Sequence, residues 1–399
     1  MLTLDRIYQA KHALSGVVRR TETILAKNIP TDCELYLKTE NLQNTGSFKV
    51  RGAYFKMAML SEEDRQKEII ACSAGNHAQG VALAAQKLGL KATIFVPGVA
   101  PIFKIEATKR MGANINIVGG VYDDAYEAAI KYQQETGGVF IHPFDDEDVI
   151  AGQGTIGLEL LEQIESLDAV VVPVGGGGLI SGLAFAIKKL NPACKVYGVQ
   201  AVGAGSMCNS MQCKERTSLK NVSTFADGIA VKSPGVLTYS YCEKYVDEIV
   251  TVTDDEIATA ILTLMEQQKL VAEGAGAVSV AAVIFNKLPL KGKKVCALVS
   301  GGNIDVNILS RVINRGLLTA GRLSELTIEM LDKPGQLKEV ATIIADLGAN
   351  VTKVRHNYGG ENTDISGCFL HVSIETRNRA HLVDVRNAIK AAGYNLIEC

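Results

Sequence analysis

Four consecutive glycines, Gly175 to Gly178, follow the apolar run Ala169-Val-Val-Val-Pro-Val174 and open a helical stretch, Leu179 to Leu190. Glycines in such a turn let backbone N–H groups approach an anion closely. The helix N-terminus adds about half a positive charge, so the loop suits a phosphate. A tight strand-to-helix turn with no ligand is the alternative. A mononucleotide P-loop is excluded, because that motif needs a lysine after its last glycine and none follows before Lys188. Gly152-Gln-Gly154-Thr-Ile-Gly157 matches a dinucleotide fingerprint, but the acidic run Asp145-Asp-Glu-Asp148 ahead of it predicts a helix start. Glycines that let two helices pack closely are the better account of it. Three further polar turns, Asn44-Thr-Gly-Ser-Phe-Lys49, Ser73-Ala-Gly-Asn76-His77 and Val299-Ser300-Gly-Gly-Asn303, stand where open α/β sheets bind ligands. Lys49 lacks the i,i+4 acidic partners of a solvated helix face. Most lone lysines face solvent. Partly desolvated beside a phosphate, its amine pKa would fall, and it could form a Schiff base with an aldehyde cofactor.

Positioning these turns requires a sheet. Glu68 to Cys72, Ala92 to Val96, Ile115 to Val118, Ala169 to Val174, Val196 to Ala201 and Lys294 to Val299 read as strands, several of them apolar on both faces as buried parallel strands are. Ala78 to Leu88, Ile102 to Met111, Tyr122 to Thr136 and Asp254 to Gln268 read as helices between them, which implies an open, doubly wound α/β sheet. After Arg322 the rhythm changes. Leu323 to Met330, Asn350 to His356, Cys368 to Glu375 and Tyr394 to Ile397 read as strands, with helices at Gln336 to Leu347 and Ala380 to Ala392. That is one complete βαββαβ unit and so a separate module.

The chain has 399 residues, 47% of them hydrophobic, and 41 Lys+Arg against 43 Asp+Glu give a net charge of −2. Disorder is excluded, and no basic field suits nucleic acid. Charge at Asp5 and Arg6 interrupts any secretory signal. The uncharged stretch Ala169 to Ile187 is long enough for a membrane span, but Pro173 and the glycines break it. Nine cysteines without a C-x-x-C pair read as reduced core filler, which implies a cytoplasmic protein.

Ser47-Phe-Lys49, Ser73-Ala-Gly-Asn-His-Ala-Gln-Gly80, Gly175-Gly-Gly-Gly-Leu179 and Ser300-Gly-Gly-Asn303, in this order, resemble the pyridoxal-phosphate enzymes of the tryptophan-synthase-β-like fold, and within them the threonine dehydratases. The tail, with Asp332-Lys-Pro-Gly-Gln-Leu337 after its first strand, resembles an ACT regulatory domain. The resemblance implies two open α/β subdomains over 1–318, the smaller at about 44–145, then a linker at 319–322 and a ferredoxin-like ACT domain over 323–399. It makes Lys49 the Schiff-base lysine and the base at Cα, with Phe48 beside it. Gly175, Gly176, Gly177, Gly178 and Leu179 would hold the pyridoxal phosphate by backbone N–H, Asn76 would meet the ring 3-oxygen, and Ser300 the pyridine nitrogen. Ser73, Ala74, Gly75, Asn76 and His77 would bind the substrate carboxylate.

The implied reaction is loss of water from L-threonine to give 2-oxobutanoate and ammonia, with L-serine to pyruvate as a side activity, in isoleucine biosynthesis or threonine catabolism. A serine-preferring dehydratase, a serine racemase and a non-catalytic amino-acid sensor are the alternatives. Racemases resembling this family place a serine where Ala74 stands. The ACT resemblance implies an amino-acid effector near Gly335, Gln336, Leu337 and Asn350, and a homo-oligomer paired through sheet edges. His77 is open between a substrate contact and a satisfied helix-cap histidine. Glu273, in the apolar run Val271 to Ala275, is open between a site role and a structural hydrogen bond. A cation near Asp227 is left undecided.

Overall fold

The uninterrupted apolar runs become buried parallel strands. In a computed structural model that describes residues 1–100, 102–358 and 366–397, the chain divides into the units Met1–Val306 and Asn307–Cys399. The first unit holds two sheets. The larger runs Thr23–Leu25, Glu34–Lys38, Lys294–Leu298, Ala169–Pro173, Lys195–Ala201, Glu248–Val252, parallel throughout except for its first pair. The smaller, inserted between 69 and 140, runs Asn114–Val118, Ala92–Pro97, Ile69–Cys72, Val139–Phe140, all parallel. Every residue of Ala169–Pro173 and of Ile69–Cys72 is buried, as strands covered by helices on both faces require.

One helix, Lys49–Ala58, is gripped between the subdomains. A Cβ added to Gly80 of the helix Asn76–Leu88 would lie 3.1 Å from the carbonyl carbon of Lys49, and one on Gly152 of the helix Glu147–Gln163 would lie 2.6 Å from the carbonyl oxygen of Arg51. The fingerprint-like glycines therefore sit within a helix and serve close packing, as the sequence predicts: a Cβ on Gly182 of the helix Gly178–Leu190 would approach the Gly154 nitrogen to 2.7 Å. Arg51 anchors the same helix through a buried ionic cluster. Its guanidinium donates to both Glu40 oxygens at 2.9 and 2.8 Å and to Glu159 at 2.6 and 3.0 Å, while Lys38 donates to Glu159 at 2.6 Å.

The second unit is the expected βαββαβ sheet, in the order Asn350–Tyr358, Gly367–Glu375, Leu323–Leu331, Asn395–Ile397, all antiparallel. Leu326, Ile328, Leu370 and Val372 meet Val340, Ile344, Val385 and Ile389 of the helices Gln336–Asp346 and Arg379–Ala391 in its core. The boundary differs from the expected 318. From Asn307 on, the helix Val306–Thr319 belongs to this unit, and residues 319–322 are bonded within it. Gly321, at φ +64°, closes that helix: its N–H donates to Leu318, the Arg322 N–H reaches back to Leu317, and the Arg322 carbonyl accepts from Thr376. This left-handed helix stop locks the connection onto the second unit's own sheet.

The eight described cysteines are free thiols. Among the described residues no helix is long and apolar enough to cross a membrane, and Ala169 to Ile187 forms a strand, a turn and a helix.

Candidate active site

The four turns converge at the carboxyl ends of parallel strands: Ser73 after Ile69–Cys72, the glycine loop after Ala169–Pro173, and Ser300 after Lys294–Leu298. The Lys49 segment is pinned to the last of these. Ser47 bridges Gly301 as an isolated antiparallel pair, the Phe48 N–H donates to the Ser300 carbonyl at 3.1 Å, and the Gly302 N–H donates to Gly46 at 2.9 Å. Lys49 starts its helix with Nζ directed inward, where it donates to the Pro143 carbonyl at 3.0 Å and lies 5.3 Å from the centre of the Phe48 ring. Burial lowers its amine to about 8, against a smaller opposing pull from Glu273.

The glycine loop is a cradle that side chains would fill. A Cβ on Gly176 would strike the Phe144 ring at 2.5 Å, one on Gly177 would meet Met207 at 2.6 Å, and one on Gly178 would meet Phe144 Cβ at 2.8 Å. Gly177 sits at φ +98° and caps the helix Gly178–Leu190, whose first N–H groups have no intrahelical acceptor. The floor is fixed by Thr238, whose hydroxyl donates to the Gly176 carbonyl at 2.6 Å.

Asn76 begins the helix Asn76–Leu88. Its amide donates to Glu273 Oε1 at 2.5 Å and accepts from Asn303 at 2.8 Å, and the same Asn303 nitrogen donates to the Thr45 carbonyl at 2.8 Å. The Ser73, Lys49 and Ser300 turns are thereby tied through one amide. Glu273 is the buried acid suggested by its apolar surroundings in the sequence. Burial raises its carboxyl to about 7, with Asp227 adding to the effect and Lys104, Asn76 and Lys49 opposing it. The His77 ring caps no helix: its Nε2–H donates to the Ile141 carbonyl at 2.9 Å, and burial first, then the Lys49 charge, lowers it to about 3. Its ring is a packed, neutral strut. Asp227 pairs with Lys104. The Ser300 hydroxyl, buried, donates to the Ala275 carbonyl at 3.3 Å.

These residues fit a phosphate-bearing aldehyde. The cradle excludes side chains, the amine is depressed toward neutrality, and the buried Ser47 hydroxyl has no partner among the described residues. Asn303, Pro143 and Phe144 carry no role in the sequence reading, although the stretch His142-Pro-Phe144 follows the strand Val139–Phe140 at its carboxyl end, the position where such sheets bind ligands. In the second unit, Gly335 at φ +97° caps the helix Gln336–Asp346, with Gln336 and Leu337 in its first turn. Asn350 lies past the other end of that helix and donates to Glu375 at 3.0 Å. Eleven residues span about 16 Å at 1.5 Å each, so Asn350 does not join the Gly335 turn within one chain.

The family model described as "Pyridoxal-phosphate dependent enzyme" matches residues 14–301. A protein of Thermotoga maritima named L-threonine ammonia-lyase is 51% identical over 398 residues, 99% of each chain. Processed threonine deaminase isoform 2 of Solanum lycopersicum superposes with a TM-score of 0.73 at 38% identity, covering 78% of this chain and 93% of that one. Maize serine racemase superposes at 0.75 with 34% identity, covering 80% and 98%.

Proposed function

The chain belongs to the pyridoxal-phosphate dependent enzymes, and from that membership we propose that it is an L-threonine ammonia-lyase, converting L-threonine to 2-oxobutanoate and ammonia. The observation that carries the substrate is the identity to the Thermotoga ammonia-lyase, which runs through both units. When bound, pyridoxal phosphate supplies the electron sink that makes loss of the Cα proton affordable. The chain supplies the rest. Lys49 would hold the cofactor through its amine and, with that amine free, would take the Cα proton. The N–H groups of Gly175 to Gly178 and Leu179 are assigned to the phosphate, and those of Ser73 to His77 to the substrate carboxylate. Asn76, steadied by Asn303 and Glu273, is assigned to the ring 3-oxygen, with Phe48 beside the lysine. Ser300 presents a neutral hydroxyl to the pyridine nitrogen. A hydroxyl cannot protonate that nitrogen strongly, which would favour prompt departure of the β-hydroxyl, with the proton taken up by Lys49 available to complete the water. A pocket that admits threonine's methyl rejects serine by only about 1–3 kcal/mol. The holoenzyme should therefore form pyruvate from L-serine, with kcat/KM about 10–200-fold below that for threonine. A pyruvate rate exceeding that of 2-oxobutanoate would make serine the substrate instead.

The lysine's depressed amine gives a pH signature in the apoenzyme. Only the neutral amine attacks an aldehyde, so the rate of reconstitution with pyridoxal phosphate should rise with pH around a midpoint of about 8. In Glu273→Gln the carboxylate that holds the ammonium form is gone, and the midpoint should fall further. A midpoint near 10.5, the ordinary lysine value, in either protein would contradict a desolvated Lys49.

Ala74 separates lyase from racemase chemistry. Racemisation needs a second acid–base group on the cofactor face opposite Lys49, and a methyl cannot carry a proton. The unmodified enzyme should form no D-serine, while Ala74→Ser should gain D-serine formation and lose dehydration. A general acid–base group is worth about 10²–10⁴-fold, well within reach of a chiral product assay. D-serine formed by the unmodified enzyme as fast as pyruvate would refute this.

The second unit is proposed as an ACT domain that binds an amino acid at the Gly335-Gln336-Leu337 turn and regulates the first unit. Its self-contained core supports this reading. A chain ending at Val306 should keep turning over threonine and lose its response to amino-acid effectors; a retained response would put the regulatory site in the first unit. The strand Asn350–Tyr358 stands at the edge of the sheet, which supports homo-oligomer pairing there. The free thiols of the described cysteines support a cytoplasmic location.

A further inference from the structure

Away from the cofactor site, Asp332, His356 and Cys368 bring a carboxylate oxygen, an imidazole nitrogen and a thiol sulfur within 4.8 Å of one another. The sheet of the second unit assembles them. Cys368 lies on the central strand Gly367–Glu375, paired with Met330 on one side and Tyr358 on the other. His356 is two residues from Tyr358 and so on the same face of the edge strand. Asp332 follows the strand Leu323–Leu331, its backbone held where its N–H donates to the Ser366 carbonyl at 2.8 Å and the Lys333 N–H turns back to Leu331 at 2.9 Å. Three segments separate in sequence thus each contribute one donor atom.

The contacts among the three do not explain the cluster. His356 Nε2 and Asp332 Oδ1 are 4.0 Å apart, too far for a hydrogen bond. Two tetrahedral ligands of one ion, each about 2.0–2.2 Å from it, stand about 3.3–3.6 Å apart, so the exposed His356 and Asp332 side chains need close by only a few tenths of an ångström. Cys368 is a buried free thiol, and no hydrogen bond to it occurs among the described residues. The Asp332 and His356 side chains remain 44% and 39% exposed, so a hydrated ion can reach them from solvent.

We propose that Asp332, His356 and Cys368 form a binding site for a zinc-class divalent cation, with a fourth, tetrahedral position open to water. The donor set decides the class. Magnesium and calcium take oxygen ligands, whereas a thiolate, an imidazole and one carboxylate match the borderline-soft preference of zinc or cobalt(II). Binding displaces the thiol proton to solvent, so no oxidant or further reactant is needed. The ion would join the turn that leads into Gly335 to the two adjoining strands. The site stands independently of the ammonia-lyase reading.

Cobalt(II) is the probe, because a thiolate ligand gives it a near-ultraviolet charge-transfer band that can be read in a difference spectrum beside the cofactor's absorbance. The full-length holoenzyme, stripped with a chelator and dialysed, should take up one cobalt(II) per chain with that band, and zinc(II) should displace it. Cys368→Ser should abolish the band. Because Cys368 is packed in the core, His356→Gln on the exposed edge provides the decisive variant: it should keep the fold and threonine turnover yet weaken cobalt affinity at least tenfold. Absence of a thiolate band in the unmodified protein, a band that survives Cys368→Ser, or unchanged affinity in His356→Gln would each overturn the site.

Discussion

Lys49→Ala lowers kcat/KM for L-threonine by at least about 10³-fold while leaving the folded structure intact. A general base alone contributes about 10²–10⁴-fold, and this residue is also the covalent holder of the cofactor, so both roles vanish together. The fold tolerates the change because among the described residues the side chain makes one hydrogen bond, to the Pro143 carbonyl, and sits at the first turn of its helix. Unchanged thermal unfolding with lost turnover separates catalysis from stability. Partial rescue by an added primary amine would show that the missing group is the amine itself. A variant keeping a tenth of the activity would remove Lys49 from the mechanism.

Arg51→Met destabilises the first unit by about 3–5 kcal/mol, the range found when one partner is removed from a buried ion pair. The cluster is balanced: Arg51 and Lys38 face Glu40 and Glu159, all essentially shielded from water. Taking Arg51 away leaves Glu40 with the Thr21 hydroxyl and the Lys38 charge, and five guanidinium hydrogen bonds to the carboxylates and Thr155 are lost. The sign with pH follows. Burial pushes the Glu40 carboxyl up, but the Arg51 charge and hydrogen bonds outweigh it and hold the group below its ordinary value. That stabilisation is present above the unfolded carboxylate pKa and is lost as pH falls through the depressed folded value. In Arg51→Met this acid-side loss should shrink, since the stability it reports is already gone. Denaturant unfolding of the two proteins between pH 7 and acid checks both statements, and a cost under about 1 kcal/mol at neutral pH would show the cluster to be incidental.

The strands that were legible are those apolar on both faces. Ala169–Pro173 and Lys294–Leu298 need no partner to be recognised, whereas Glu34–Lys38 reads as a polar segment because the salt bridge that lets its lysine be buried is made to Glu159, more than a hundred residues away. Val139–Phe140 is too short to show a period, and Glu248–Val252 is an edge strand of mixed burial. The helix expected to run from Asp254 to Gln268 is regular to Thr263 and continues as a wider π turn that ends at left-handed Lys269, a change no residue type announces. The division at Val306 is not visible in the sequence, because the amphipathic helix Val306–Thr319 resembles the helices before it, and the Gly321 stop and the Thr376 bonds to Gly321 and Arg322 that tie it to the later sheet join residues far apart in the chain. In the site, the glycine cradle and the polar turns were readable as chemistry. Lys49 stood out by its lack of i,i+4 acidic partners, and the resemblance of its neighbours then implied its role. The Asn303–Asn76–Glu273 chain was not readable, since it joins side chains from three turns distant in sequence.

The central claim is that the amine at the head of the helix Lys49–Ala58 holds the cofactor over the glycine cradle. Reducing the holoenzyme with borohydride fixes the cofactor to whatever amine carries it, and peptide mass mapping then names the residue. The account predicts one cofactor per chain, on the peptide containing Lys49, with threonine turnover abolished in step with the labelling. Cofactor fixed to another lysine such as Lys104, or turnover that survives complete labelling, would contradict it.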